Sequence, residues 1–213
     1  MPVSPRTRYL WILRHAKAAS DAPWGGGDQQ RPLTARGRRD ATALGKRLAA
    51  DPVDLDLDLD VERDLGPGLD LESGGIPRPE LAVCSAAVRT RQTTDLVAEG
   101  MGGLLPVDAY HSLYGAEPEL LLQYVREVDE SVMSALVVGH NPSVFEAAWL
   151  LLGDPGGMAG GADDDDHASS DQARLEAHGF PTCALAVLAL DVGAWEDVAH
   201  GCGTLVGVFK PPY

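Results

Sequence analysis

Apolar residues gather in six short runs of strand length, at 9–13, 81–84, 106–110, 134–138, 183–190 and 204–209. Most of these runs are separated by segments in which apolar positions recur at helical spacing. Strands alternating with helices predict an α/β fold: a single domain around a six-stranded, mostly parallel sheet with helices on both faces. In "LTARGRRDATALGKRLAA" the positions Leu33, Ala41, Leu44 and Leu48 lie near one stripe behind Thr34, a residue suited to an N-cap, so a helix is expected over 35–49. "AAVRTRQTTDLVAEG" predicts a second helix ending at Gly100, with Val88, Leu96 and the stem of Arg91 toward the sheet. "VVGHNPSVFEAAWLLLG" predicts a third, with Asn141 as cap and Pro142 where a missing N–H costs nothing.

Two segments break this alternation. Residues at about 51–80 and 154–178 are rich in Asp, Gly and Pro and read as acidic loop insertions in a 213-residue domain. The alternation of Asp with Leu and Val in the first would also suit a half-exposed edge strand around 53–61. Asp54, Asp56 and Asp58 have the spacing of calcium-loop ligands, but the central glycine and the closing glutamate are missing. Asp163 to His167 is a run of like charge that is expected to be solvated. No metal site is assigned.

Seventeen Lys and Arg against 32 Asp and Glu give a net charge of −15, which repels nucleic acid and anionic membrane surfaces at long range. Arg6 and Arg8 precede only a five-residue apolar run, and no stretch reaches about 18 apolar residues. A cytoplasmic protein is therefore expected. Cys84, Cys183 and Cys202 match no zinc spacing and are expected as buried free thiols.

The chemistry lies at the predicted strand ends. "LWILRHAKAAS" runs from a buried strand straight into Arg14, His15 and Lys17; Arg89 follows the Cys84 strand and His140 follows the strand ending in "VVG". Ligands of open α/β sheets bind outside the carboxyl ends of the strands, so these turns are expected to converge on one crevice. Two arginines and two histidines with no carboxylate among them call for an anion. Guanidinium forks match phosphate oxygens, helix starts add N–H groups, and a neutral imidazole among guanidiniums is nucleophilic. The set describes a phosphate pocket containing a nucleophile.

With "RPLTARG", "SAAVRTRQT" and "VVGHNPS" following "LRHAK" in this order, the chain resembles the histidine phosphatase (phosphoglycerate mutase-like) superfamily, and within it the small SixA-type phosphohistidine phosphatases. The resemblance spans the chain apart from the two acidic segments, and includes "ALAVLALDVGAWEDV" and "LVGVFKPP" near its end. It implies that His15 becomes phosphorylated, that Arg14, Arg89 and His140 complete the pocket, and that Arg31 contacts phosphate or substrate. Arg31 in a salt bridge with Asp40 or another acid is the alternative. Lys17 and Asn141 are expected to line the substrate side of the pocket, with a solvated side chain as the alternative for Lys17. Ala16 replaces the glycine, and Ala86 the proline, common in the broader family.

Mutase-like members supply a glutamate as general acid, for which Glu117 in "HSLYGAEPELL" is the nearest candidate and His111 a weaker one. Glu117 also suits a helix start, since Pro118 follows it. A phosphohistidine leaving group needs little acid once its imidazole is protonated, so an uncertain acid favours it over an alkyl ester. The expected function is a metal-independent, cofactor-free phosphatase acting on a phosphohistidine protein. A phosphatase of small phosphate esters and a non-catalytic phospho-binding module are the alternatives.

Overall fold

The computed structural model describes residues 7–49, 76–153 and 170–213. Six strands form one sheet: β1 (Arg8–Arg14), β2 (Leu81–Ser85), β3 (Val107–Tyr110), β4 (Ser134–Gly139), β5 (Leu185–Leu190) and β6 (Gly203–Phe209). Their spatial order is β3-β2-β4-β1-β5-β6, with β1 to β4 mutually parallel and β5 antiparallel to both neighbours. The mostly parallel α/β architecture expected from the apolar runs is what the chain adopts. Among the described residues five α-helices accompany the sheet: α1 (Ala35–Ala49), α2 (Val88–Gly100), α3 (Pro118–Arg126), α4 (Ser143–Leu151) and α5 (Ser170–His178).

The two-residue period of the strands divides the core. On one face Leu10, Ile12, Val137 and Leu188 meet α3, α4 and α5 through Leu122, Val144, Leu151 and Leu175. On the other, Trp11, Leu13, Val138 and Val187 meet α1 and α2 through Leu44, Leu48 and Val97. Burial on both sides explains why these strands read as unbroken apolar runs. Close approach of α1 and α2 requires Gly45, where a Cβ would stand 2.3 Å from the Val97 carbonyl oxygen.

Local expectations are met unevenly. Helix α1 covers 35–49 as its stripe predicts, and Thr34 Oγ1 caps it by accepting from the Gly37 N–H at 3.0 Å. Helix α2 turns a different face inward: Arg89, Thr90, Thr93, Thr94, Val97 and Ala98 are buried, while Arg91 is exposed and Val88 and Leu96 are only partly covered. A polar stripe is tolerated because each threonine hydroxyl donates to a backbone carbonyl, Thr93 to Arg89 at 2.7 Å and Thr94 to Thr90 at 3.0 Å. Asn141 does not cap α4; Pro142 holds that position, and the Asn141 amide donates instead to the Phe180 carbonyl at 3.1 Å.

Ser170, Asp171 and Gln172, loop-like in composition, open α5. The edge strand expected near 53–61, the Asp54, Asp56, Asp58 trio and the Asp163–His167 run lie outside the described residues. Cys84 and Cys183 are buried thiols, Cys202 is partly buried, and all three are free.

Candidate active site

Strands β2, β4 and β1 are neighbours, so their carboxyl ends lie side by side; β1 ends in a residue of the predicted cluster, β4 ends next to one, and β2 leads into the helix that carries another. Arg14 is the last residue of β1, His15 follows it, His140 follows β4, and Arg89 lies in the first turn of α2 beyond β2. The rings of His15 and His140 stand 5.1 Å apart, and Arg89 Nη2 lies 3.3 Å from His140 Nδ1.

Hydrogen bonds fix the state of each imidazole. His15 Nδ1 is 2.8 Å from the Ala16 carbonyl, which can only accept, so Nδ1 carries the proton and Nε2 keeps its lone pair. A guanidinium can only donate, so His140 Nδ1 accepts from Arg89 and its Nε2 donates to Ser85 Oγ at 3.0 Å. Burial, with Arg89 and Arg14 nearby, lowers the His15 pKa to about 4. Burial, with His15 and Arg89, lowers that of His140 to about 3. Both rings are neutral near pH 7, and the unprotonated His15 Nε2 has a lone pair that is chemically able to attack an electrophile.

The turn bearing His15 is held from several sides. The His15 N–H donates to Gly139 at 3.0 Å, and the Cys183 N–H bridges the Arg14 and His15 carbonyls, 3.1 Å from each. Ala16, fully buried, donates its N–H to Thr93 Oγ1 at 3.0 Å, so its methyl group is packed in the core. The Lys17 carbonyl accepts from Thr34 N–H and hydroxyl, and a Cβ on Gly37 would stand 2.2 Å from that oxygen. The "RPLTARG" motif therefore seats the start of α1 on the turn that bears His15.

Arg14 Nη1 donates to the Phe180 carbonyl at 2.8 Å, the oxygen that also receives the Asn141 amide. Arg14 and Arg89 each keep a buried Nε–H without a hydrogen-bond partner among the described residues.

Three residues that sequence reasoning missed complete the site, and one corrects it. The constellation does contain a carboxylate. Asp28 Oδ2 accepts from Arg89 Nη2 at 3.0 Å and from the Tyr114 hydroxyl at 2.5 Å, its carbonyl accepts from Arg89 Nη1 at 2.8 Å, and Oδ1 lies 2.7 Å from Arg31 Nε. The Tyr114 hydroxyl first, then the Arg89 and Arg31 guanidiniums, hold the Asp28 carboxyl below the usual carboxylate range.

Tyr114 sets its ring edge-on to His140, 5.4 Å between centroids, and under the Arg89 guanidinium at 5.6 Å. Ser85 holds His140 as described above. The only sequence signal for Asp28 is its place three residues before Arg31, which pairs with it and not with Asp40; Asp40 pairs with Arg36. Of the remaining expectations, Lys17 is exposed, His111 is exposed in the short turn after β3, and Glu117 is exposed at the N-cap of α3 with no bond to the cluster. Among the described residues no group of His, Cys, Asp and Glu is arranged to hold a metal ion, and no helix is long and apolar enough to cross a membrane.

No protein-family model matches the chain. The chain is 32% identical over 199 residues to the uncharacterized protein Rv1276c of Mycobacterium tuberculosis, covering 93% of this chain and 99% of that one. Among solved structures, a candidate phosphohistidine phosphatase SixA from Nakamurella multipartitia superposes with a TM-score of 0.71 at 29% identity, over 97% of this chain and 98% of the other. The protein histidine phosphatase SixA complexed with tungstate shares the fold, with a TM-score of 0.61 at 22% identity over 95% and 97% of the two chains.

Proposed function

The chain belongs to the histidine phosphatase superfamily, on its SixA-type side, and from that premise we propose that it hydrolyses protein-borne phosphohistidine through a phosphoryl group carried on His15. One observation supports this reading above the others: a neutral imidazole with a free Nε2 stands beside Arg14, Arg89 and His140 at the ends of three adjacent strands. In the first step Nε2 attacks phosphorus, the substrate P–N bond breaks, and its electron pair stays on the departing imidazole. In the second, water attacks the phosphoenzyme, the Nε2–P bond breaks, and phosphate and a proton leave. Phosphoryl transfer depends mainly on positioning and charge neutralisation, which the arginines supply without a metal ion.

Glu117 stands at the start of α3, where its charge suits the helix dipole, and the site works without its proton. A leaving group that departs as neutral imidazole suits such a site better than an alkoxide does. The test is a comparison of specificity constants for a phosphohistidine-bearing protein and for 3-phosphoglycerate under matched conditions. A preference for the phosphohistidine protein is expected. A tenfold preference for the small ester, about 1.4 kcal/mol in the barrier, would overturn the substrate assignment.

A further inference from the structure

Phosphate capture has no use for a carboxylate at the mouth of its pocket, yet Asp28 stands there. Among the described residues it is the acid whose side chain meets the catalytic cluster. An anion bonded to the fork that is to receive another anion opposes binding by like-charge repulsion. Its placement indicates what it faces: the Asp28 side chain is 47% exposed while that of Arg89 is 5% exposed, so the carboxylate covers the solvent side of the guanidinium. His15 follows directly on the last residue of β1. In-line displacement sets nucleophile and leaving group on opposite sides of phosphorus, so an attack from the strand end leaves the solvent side, where the exposed Asp28 carboxylate stands, to the leaving group.

We propose that Asp28 selects the leaving group: its carboxylate receives the N–H of a nitrogen leaving group and repels an oxygen one, so the site takes phosphoramidates as a class, phosphohistidine among them. This rests on His15 being the nucleophile. As Nε2–P forms, the electron pair of the P–N bond passes to the substrate nitrogen. In a protonated phosphoimidazole the distal ring nitrogen carries the proton, and that N–H is the group Asp28 accepts; the ring leaves neutral with its proton still on it.

A carboxylate in this place also favours the protonated, reactive form of the substrate. An alkyl ester brings no such proton and develops negative charge next to Asp28 instead. Tyr114 and Arg31 hold the carboxylate in position and keep it ionised, so it has no proton to give an alkoxide near neutral pH.

The experiment compares kcat/KM for phosphoramidate and for p-nitrophenyl phosphate, whose oxygen leaving group departs without a proton, in the wild type, Asp28→Asn and Tyr114→Phe. Asp28→Asn should lower the phosphoramidate value by about tenfold, the scale of one hydrogen bond to a charged group, and raise the p-nitrophenyl phosphate value. Tyr114→Phe, in which Arg31 and Arg89 still hold the carboxylate in place and ionised, should keep the ratio of the two within about threefold of wild type. Equal losses on both substrates in Asp28→Asn, or the same change of ratio in Tyr114→Phe, would show a structural clamp and overturn the proposal. Loss of the p-nitrophenyl phosphate activity alone would mean that Asp28 assists an oxygen leaving group and overturn it too. A wild type inert to both substrates, with no phosphoryl group on His15, would defeat the underlying reading instead.

Discussion

Replacing Arg89 by methionine removes the most buried cation of the site while keeping most of its apolar stem. Its guanidinium donates from Nη1 and Nη2 to Asp28 and touches His140, and its Nε–H has no partner among the described residues. Two hydrogen bonds to a phosphoryl dianion at about 1.5–3 kcal/mol each would amount to about 3–6 kcal/mol. Part of this is exchange, because the same donors already hold Asp28, so the lower half of that range applies. The expected loss in kcat/KM is about 10²- to 10³-fold. Arg89→Lys keeps the charge but not the fork, and should lose about 10- to 10²-fold. Initial rates of phosphate release from p-nitrophenyl phosphate measure both, and thermal melts show that the variants are folded. An Arg89→Met enzyme that is folded and within threefold of wild type would refute the placement of this arginine on the phosphate.

Further expectations follow from the histidines, one glycine and the arginines. With folded-state pKa values of about 4 for His15 and about 3 for His140, the unfolded chain binds protons that the native chain refuses as pH falls below about 6.5, so their contribution to stability is full above that pH and is lost on acidification. Denaturant titrations of His15→Asn and His140→Asn should show, between about pH 6 and 4, a dependence shallower by about 1.4 kcal/mol per pH unit for each histidine removed; an unchanged slope would contradict their being buried and neutral. Gly37→Ala puts a methyl group onto the Lys17 carbonyl and should cost about 1–3 kcal/mol and a large share of activity, read by melting temperature and turnover together. An alanine variant as stable and active as wild type would mean that α1 does not seat the nucleophile turn. Treatment with EDTA should leave the rate unchanged, since arginines and helix-start amides meet the phosphate charge; activity lost to the chelator and restored by magnesium or calcium would contradict this.

What could be read from the sequence follows the range of the interactions involved. Strands β1, β4 and β5 are buried on both faces, so their apolar runs identify them directly, and the neighbouring ends of β2, β4 and β1 locate the turns that carry the cluster. Helix α1 combines an apolar stripe with a local cap and occupies the span of about 35–49 that these predict. The inward face of α2 is misjudged because its buried threonines satisfy their hydroxyls on the preceding turn, which hydrophobicity does not register. Asn141 is misjudged because a carbonyl 39 residues away draws its amide from the helix. Asp28 is missed for the same reason, since it meets Arg89 across 61 residues of sequence from a loop rich in glycine.

The central claim is that a phosphoryl group passes through His15, and trapping it is the direct measurement. The enzyme is mixed rapidly with a phosphohistidine protein or phosphoramidate, quenched in alkali where a phosphoimidazole survives, digested, and its peptides analysed by mass. The account predicts about 80 Da added on the peptide containing His15, the mass of one phosphoryl group in place of a proton, labile to acid and absent from His15→Asn. Turnover with no phosphorylated His15 peptide, or full activity in His15→Asn, would contradict it.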